Sequence, residues 1–254
     1  NIAALLPAPW TQVLRVGVGA DNDLVIRDFA DGPAGASFEL VWRGQLWAQV
    51  RWPMHGLFNV RNAAMAALAA ALAHGCVDPT RFDLAALSQF RGVRRRQDIL
   101  FADEHCVVLE DFAHHPTAVA AAIDALRAAY PERRMTVCFE PRSNTAATAR
   151  FQAEFQAALG AADRVCLGAV HRAERMAPEE RLDTAAMAAA LDAIGCPARA
   201  FTENGQLLEY LQRMLASEGN DPSGQLQPGE IVVFFTNGSF DGVPQALVAS
   251  LAAG

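Results

Sequence analysis

Val107-Val108-Leu109-Glu110-Asp111-Phe112-Ala113-His114-His115-Pro116-Thr117 is the stretch from which the fold can be read. An apolar run ends in a carboxylate, two imidazoles follow, and a proline then stands where a helix can open. A short apolar run bounded by turn signals reads as a fully buried strand, and proline is at home in the first helical turn. Titratable groups where a strand stops and a helix starts are placed where open α/β sheets hold their ligands. The amides of that first turn are expected to form a site for a phosphate or a carboxylate.

Downstream, the same alternation repeats. Strands are predicted near Cys106–Leu109, Met135–Phe139, Arg164–Leu167, Ala198–Phe201 and Ile231–Phe235. Helices are predicted near Pro116–Tyr130, Ala146–Leu159, Thr184–Ile194, Gly205–Ser217 and Gly242–Ala252, with surface loops at His171–Leu182 and Glu218–Pro228. Such strand-helix units call for an α/β fold with a mostly parallel sheet covered on both faces. Upstream, residues 11–52 read as short antiparallel strands, Val13–Val18, Leu24–Arg27, Phe38–Arg43 and Leu46–Trp52, with Arg43-Gly44-Gln45 as a hairpin turn. An alanine-rich helix is predicted from Asn59 to His74, stopped by Gly75, and a shorter one near Leu84–Phe90. The composition shift after the arginine run places the domain boundary between residues 97 and 98, giving units 1–97 and 98–254.

Composition narrows the function classes. A net charge of −7 opposes a general nucleic-acid binder, which needs a basic surface. No apolar stretch is long enough for a transmembrane helix. The five cysteines are spaced about 30 residues apart and form no CxxC, so buried free thiols in a reducing, cytoplasmic compartment are expected. The start, Asn1-Ile2-Ala3-Ala4, has neither an initiator Met nor a basic region and is expected to be a cut edge. The chain contains no lysine, and all 21 basic residues are arginine, so a phosphate loop of the GxxxxGK[ST] type cannot lie within it.

Asn59 and Asn62, three apart near a helix start, can cap the helix or read the donor and acceptor edge of adenine. Arg94-Arg95-Arg96 offers guanidinium forks suited to phosphate. Asp111, His114 and His115 have the donor types of a metal site, but adjacent histidines at a helix start diverge, so a nucleotide or substrate site fits better and no metal is expected here. Glu140-Pro141-Arg142-Ser143-Asn144-Thr145 repeats the layout of apolar run, polar loop and helix, which suits a carboxylate. Thr236-Asn237-Gly238-Ser239-Phe240-Asp241-Gly242 ends the last strand with glycines that let backbone approach a ligand. Three such loops at the carboxyl ends of one sheet converge on one rim.

Asn59-x-x-Asn62-Ala63-Ala64, the Arg95-Arg96 pair and Glu110-Asp111-Phe112-Ala113-His114-His115-Pro116-Thr117 resemble, in order and spacing, the Mur ligases, the ATP-dependent amide-forming enzymes of peptidoglycan synthesis. The resemblance runs from about Trp47 to Leu251. It implies a Rossmann-like C-terminal domain preceded by the C-terminal part of the family's central ATPase domain. Loop 140–145 and Asn237-Gly238-Ser239-Phe240-Asp241-Gly242 are most similar to the murein peptide ligase branch. That branch joins UDP-N-acetylmuramate to the tripeptide L-alanyl-γ-D-glutamyl-meso-diaminopimelate in peptidoglycan recycling.

By resemblance, Asn59 and Asn62 would contact adenine, Arg96 the ATP phosphates and Asp111 the ribose. His114 and His115 would line the catalytic cleft, while Arg142, Ser143, Asn144 and Thr145, with Asn237, Gly238, Ser239 and Phe240, would hold the incoming peptide. The family reaction runs through an acyl phosphate on the muramate carboxylate. Two departures stand out: Phe58 precedes Asn59 where the family usually has His, and the phosphate loop, the Mg2+ ligands and the UDP-binding domain are expected in an N-terminal part outside this sequence. The chain alone is therefore predicted to be inactive. The L-alanine-adding ligase of the same family and a non-catalytic nucleotide- or peptide-binding module are the two alternatives.

Overall fold

The structure, a computed structural model, describes residues 10–218 and 229–253. The predicted loop at Glu218–Pro228 therefore falls almost wholly outside the described residues. The chain divides into two compact units, Asn1–Arg91 and Gly92–Gly254.

The first unit is a four-stranded sheet in the order β1 (Val16–Gly17), β2 (Leu24–Gly32), β3 (Gly35–Trp42), β4 (Gln45–Trp52), packed against helix α1 (Leu57–Ala73). The β3–β4 hairpin turns on Arg43 and Gly44 alone, with φ of 46° and 87°, as a tight turn matched to the strand twist requires. Gln45 already belongs to β4. The expectation of antiparallel strands throughout is corrected at β1, which is two residues long and pairs parallel to β2. The apolar run is cut short there, because Asn22 closes a loop by donating both its backbone and side-chain N–H groups to Gly19 O, at 3.2 and 2.7 Å. The alanines of α1 keep the helix close to the sheet, with Val60, Ala64, Ala67 and Leu68 meeting Leu24, Phe38 and Leu40. Trp47 and Trp52 donate their indole N–H groups to Phe82 O and Phe90 O, fixing the segment around α2 (Ala85–Gln89) to β4.

The second unit is a six-stranded sheet in the order β5-β6-β10-β7-β8-β9. Its parallel strands are β6 (Cys106–Asp111), β7 (Arg134–Phe139), β8 (Arg164–Leu167), β9 (Ala198–Ala200) and β10 (Glu230–Phe235). An antiparallel edge strand, β5 (Asp98–Ala102), adds to the five that the sequence predicted. Successive residues of β10 feed opposite layers. Ile231, Val233 and Phe235 pack with α3 (Pro116–Ala129), α4 (Gln152–Leu159) and α5 (Thr184–Ala193), while Val232 and Phe234 pack with α6 (Asn204–Glu218) and α7 (Val243–Leu251). Burial on both faces is why these strands read as unbroken apolar runs. The sequence division at 97/98 differs from the structural one because Arg95 and Gln97 are bonded into the second unit, Arg95 Nε to Glu110 and Gln97 N–H to Asp111. Among the described residues, all five cysteines are free, and four are buried. Burial, and then the neighbouring Cys166, pushes the Cys138 thiol well up.

One predicted helix start is corrected. Residues 143–148 form a turn, not the first part of a helix, and regular structure resumes with a 3-10 turn at Ala149–Phe151 leading into α4. Ser143 caps a single turn, its Oγ accepting the Ala146 N–H at 3.0 Å and its carbonyl the Ala147 N–H at 2.8 Å. Thr148 then pairs with Arg181 as an isolated bridge, with Ala149 N–H on Glu180 O and Leu182 N–H on Ala147 O, which takes the backbone out of the helix.

Candidate functional site

Parallel strands deliver their carboxyl ends to one rim, and the polar groups of this unit gather there. Strand β6 ends at Asp111, which is only 3% exposed. One carboxylate oxygen accepts the Ala113 N–H at 2.7 Å and the other the Gln97 N–H at 3.0 Å. Burial raises the Asp111 pKa, against the pull of these two amides and Arg96. The carboxylate thus ties the turn after β6 to the arginine segment, a link repeated by Phe112 N–H donating to Arg95 O at 2.8 Å.

The three arginines of that segment part company. Arg95 turns inward, with Nε on Glu110 at 2.8 Å and Nη2 donating to Thr236 O and Gly238 O, so it clips the ends of β6 and β10 together. Arg95 and Gln97 hold positive φ, 61° and 51°, which side-chain-bearing residues adopt at a cost. Arg96 is exposed and lies over the Phe112 ring at 5.5 Å, and Arg94 is also exposed.

His114 Nδ1 lies 2.9 Å from Phe112 O. A carbonyl can only accept, so Nδ1 carries the proton in this contact and Nε2 keeps its lone pair when the ring is neutral. His115 instead caps α3, its ring nitrogen accepting the Thr117 N–H at 3.4 Å. The Ala118 and Val119 amides donate to His115 O. The expected anion site at this helix start is corrected on that ground: Pro116 has no N–H, and the next three amides already have partners.

The loop after β7 is built on Glu140, 2% exposed, which accepts from the Thr236 hydroxyl and from Arg142 Nη1, the latter at 3.3 Å. The stem of Arg142 lies across Gly238, where a Cβ would sit 2.1 Å from Arg142 Cδ. Arg142, Ser143, Asn144 and Asn237 then line one open cleft of about 720 Å³. The Asn237 Oδ1 is buried and has no hydrogen-bond partner. Thr145 is exposed and does not line this cleft. Gly238 serves as the floor under Arg142, Ser239 is exposed, and Phe240 is fully buried with its ring edge-on to Phe234 at 5.6 Å.

His171, Arg172 and Arg175 also line the cleft, from the segment that the sequence predicts as a surface loop. The available signal was positional: they follow β8, whose carboxyl end lies on the same rim. Asn59 and Asn62 belong to the first unit. Asn59 is buried and donates its side-chain N–H to His55 O at 2.7 Å, whereas Asn62 is exposed. Among the described residues, no group of three His, Cys, Asp or Glu is placed to hold a metal ion. Among them, too, no helix is long and apolar enough to cross a membrane.

The family described as Mur ligase, glutamate ligase domain, matches residues 95–235, from the arginine clip to the end of β10. The chain belongs to the Mur ligase family. Among curated relatives, the UDP-N-acetylmuramate–L-alanine ligase of Acidithiobacillus ferrooxidans is 38% identical over 177 residues, covering 68% of this chain and 37% of the relative. The ligase of the same name from Desulfitobacterium hafniense is 25% identical over 238 residues, 94% of this chain and 50% of the relative. The chain thus spans half or less of the length of these Mur ligases. The UDP-N-acetylmuramate–alanine ligase of Thermotoga maritima shares the fold with a TM-score of 0.70 at 20% identity, over 94% of this chain and 48% of that one. A murein peptide ligase from Psychrobacter arcticus does so with a TM-score of 0.64 at 24% identity, over 98% and 48%.

Proposed function

We propose that this chain supplies the acceptor-binding part of a cytoplasmic, ATP-dependent Mur ligase that joins UDP-N-acetylmuramate to the tripeptide L-alanyl-γ-D-glutamyl-meso-diaminopimelate. The observation that carries the choice of acceptor is the cleft lined by Arg142, Arg172 and Arg175. The tripeptide has three carboxylates, each a partner for a guanidinium fork, and free L-alanine has one. Asn237 lines the same cleft.

In the family reaction ATP provides the phosphoryl group that activates the muramate carboxylate, and the acceptor amine then displaces phosphate. This chain's residues bind and orient, which is most of what such chemistry asks of a protein. His114, with Nδ1 held by Phe112 O, presents Nε2 to take the proton that the attacking amine loses. His115 contributes by capping α3. Arg96 is assigned to phosphate oxygens, as an exposed guanidinium beside the Phe112 ring. Asp111 is assigned to the ribose, since each of its oxygens keeps a lone pair beyond the amide that it accepts. Asn59 and Asn62 are assigned to adenine, with Asn62 the exposed member. Mg2+ ligands are assigned to the N-terminal part of the longer ligase.

L-Alanine is the second reading, favoured by the names of the sequence relatives. Calorimetric titration of the chain with the tripeptide and, separately, with L-alanine tests the choice. Tripeptide binding that disappears in Arg142→Ala supports the first reading. Binding of L-alanine alone overturns it. The full-length ligase assayed with both acceptors gives the same decision in turnover, and measurable ligation by the 254-residue chain by itself would refute its assignment as a part that cannot act alone.

A further inference from the structure

Asn204, at the start of α6, is 6% exposed and touches neither the nucleotide nor the acceptor groups assigned above. Its carboxamide bonds to loops that leave two other strands. Oδ1 accepts the Ala169 N–H at 3.0 Å, in the loop after β8, and Nδ2 donates to Asp241 Oδ2 at 2.7 Å, in the loop after β10. The Ala169 amide can only donate, which fixes the carboxamide orientation and leaves its NH2 for the Asp241 carboxylate.

The two loops joined in this way both line the cleft. The loop after β8 leads to His171 and Arg172, and His171 N–H is anchored on Pro141 O at 3.0 Å, next to Arg142. The loop after β10 carries Asn237 and then passes through Phe240 and Asp241, with φ of 49° and 50°, a conformation costly for residues with side chains. Strain of that kind persists only where the surroundings over-determine it. Two contacts do so here: the Asn204–Asp241 bond, and the Phe240 ring resting on Gly168, where a Cβ would meet ring carbon at 2.5 Å. The Phe240–Gly168 contact joins the loops after β8 and β10 directly, and the Asn204–Asp241 bond joins them through the Asn204 carboxamide and Ala169 N–H.

We infer that Asn204 is a positioning residue for the acceptor: its buried carboxamide locks the loops after β8 and β10 to each other, so that Arg172 and Asn237 face a single ligand. The inference rests on the acceptor reading of the cleft. Asparagine is required because the site needs one acceptor and one donor on a short planar group; aspartate cannot donate, and leucine can do neither.

The test uses the 254-residue chain and isosteric changes. Asn204→Asp keeps an acceptor for Ala169 N–H but sets two carboxylates against each other, and the swapped pair Asn204→Asp with Asp241→Asn restores the bond between 204 and 241 with donor and acceptor exchanged. Hydrogen exchange is followed in residues 168–172 and 237–242, and tripeptide affinity by calorimetry on the folded protein. In Asn204→Asp both loops are expected to exchange faster together, and affinity to fall about tenfold, the worth of one hydrogen bond to a charged group. The swap is expected to recover both. Faster exchange in one loop only, or in neither, overturns the coupling. Faster exchange in both with unchanged affinity makes the bond structural and overturns the positioning role. A wild-type chain that binds neither tripeptide nor L-alanine refutes the acceptor reading, and the positioning role with it, while the exchange data still decide whether the loops are coupled. Asn204→Ala, which removes the bonds without adding charge, is expected to match Asn204→Asp in exchange; a normal Asn204→Ala would assign the effect to repulsion and overturn the lock.

Discussion

The two ends of the six-stranded sheet are built from the same residue types and put them to opposite uses. At the amino end Glu230 is 3% exposed, held by the Thr136 hydroxyl, Arg164 at 3.5 Å and Arg134 at 3.5 Å. Arg133 closes that end by donating to the carbonyls of Asp103, Glu104 and Glu230. At the carboxyl end Glu140 is equally buried and has its own threonine and arginine, but Arg142 is joined there by Arg172 and Arg175 around an open cleft. A buried carboxylate among arginines is thus no sign of a site in itself; cations that face open space beside it are.

If that difference is real, substitutions at the two ends must separate stability from binding. The largest effect is expected from Glu230→Ala, which takes the buried carboxylate away from the Thr136 hydroxyl and from the Arg134 and Arg164 guanidinium groups at the sealed end. Chemical denaturation should show a loss of about 3–5 kcal/mol, with tripeptide affinity per folded molecule unchanged. Arg172→Ala should give the reverse: affinity lower by about 1.5–3 kcal/mol in calorimetry, and a denaturation midpoint within about 0.5 kcal/mol of wild type. Gly238→Ala sharpens the comparison, because the new Cβ would displace Arg142 from its place beside Glu140. About 1 kcal/mol of affinity should go, and none further in an Arg142→Ala background, a coupling that a double-mutant cycle reads directly.

The smallest effect concerns pH. Burial raises the Asp111 pKa, so the folded state holds its proton more tightly than the unfolded chain. Stability from this group is greatest below the unfolded value near 4 and is lost as pH rises through the folded value. Relative to Asp111→Asn, the wild type should therefore lose stability as pH is raised from about 4 toward neutrality; a difference that is flat or of opposite sign in pH-dependent denaturation would contradict the assignment.

Much of the second unit was legible because burial on both faces leaves apolar runs that punctuation can bracket. Strand β5 escaped this reading since it is an edge strand with Ile99 54% exposed, so its apolar pattern is diluted. The break before α4 is not legible because Ala146 and Ala147 read as helix, while what ends the turn is the pairing of Thr148 with Arg181, more than thirty residues away. Phe240 shows the limit of motif reading: it stands within a ligand loop, yet its side chain is core. His171, Arg172 and Arg175 were illegible for another reason. A charged, aperiodic segment looks like any solvated loop, and only the order of strands in the sheet brings it into one cleft with Arg142 and Asn237.

That order has a consequence for how the molecule is made. The last strand among the described residues, β10, lies between β6 and β7, which precede it by about a hundred residues. On the ribosome, β6 and β7 emerge long before the strand that must separate them, and until it arrives each presents an unpaired edge to the other and to neighbouring chains. The sheet is closed from its middle, late, by a long-range insertion of the kind that makes folding slow. A nascent chain halted before Gly229 should be open to protease throughout residues 98–218, and release of β10 should protect them all at once.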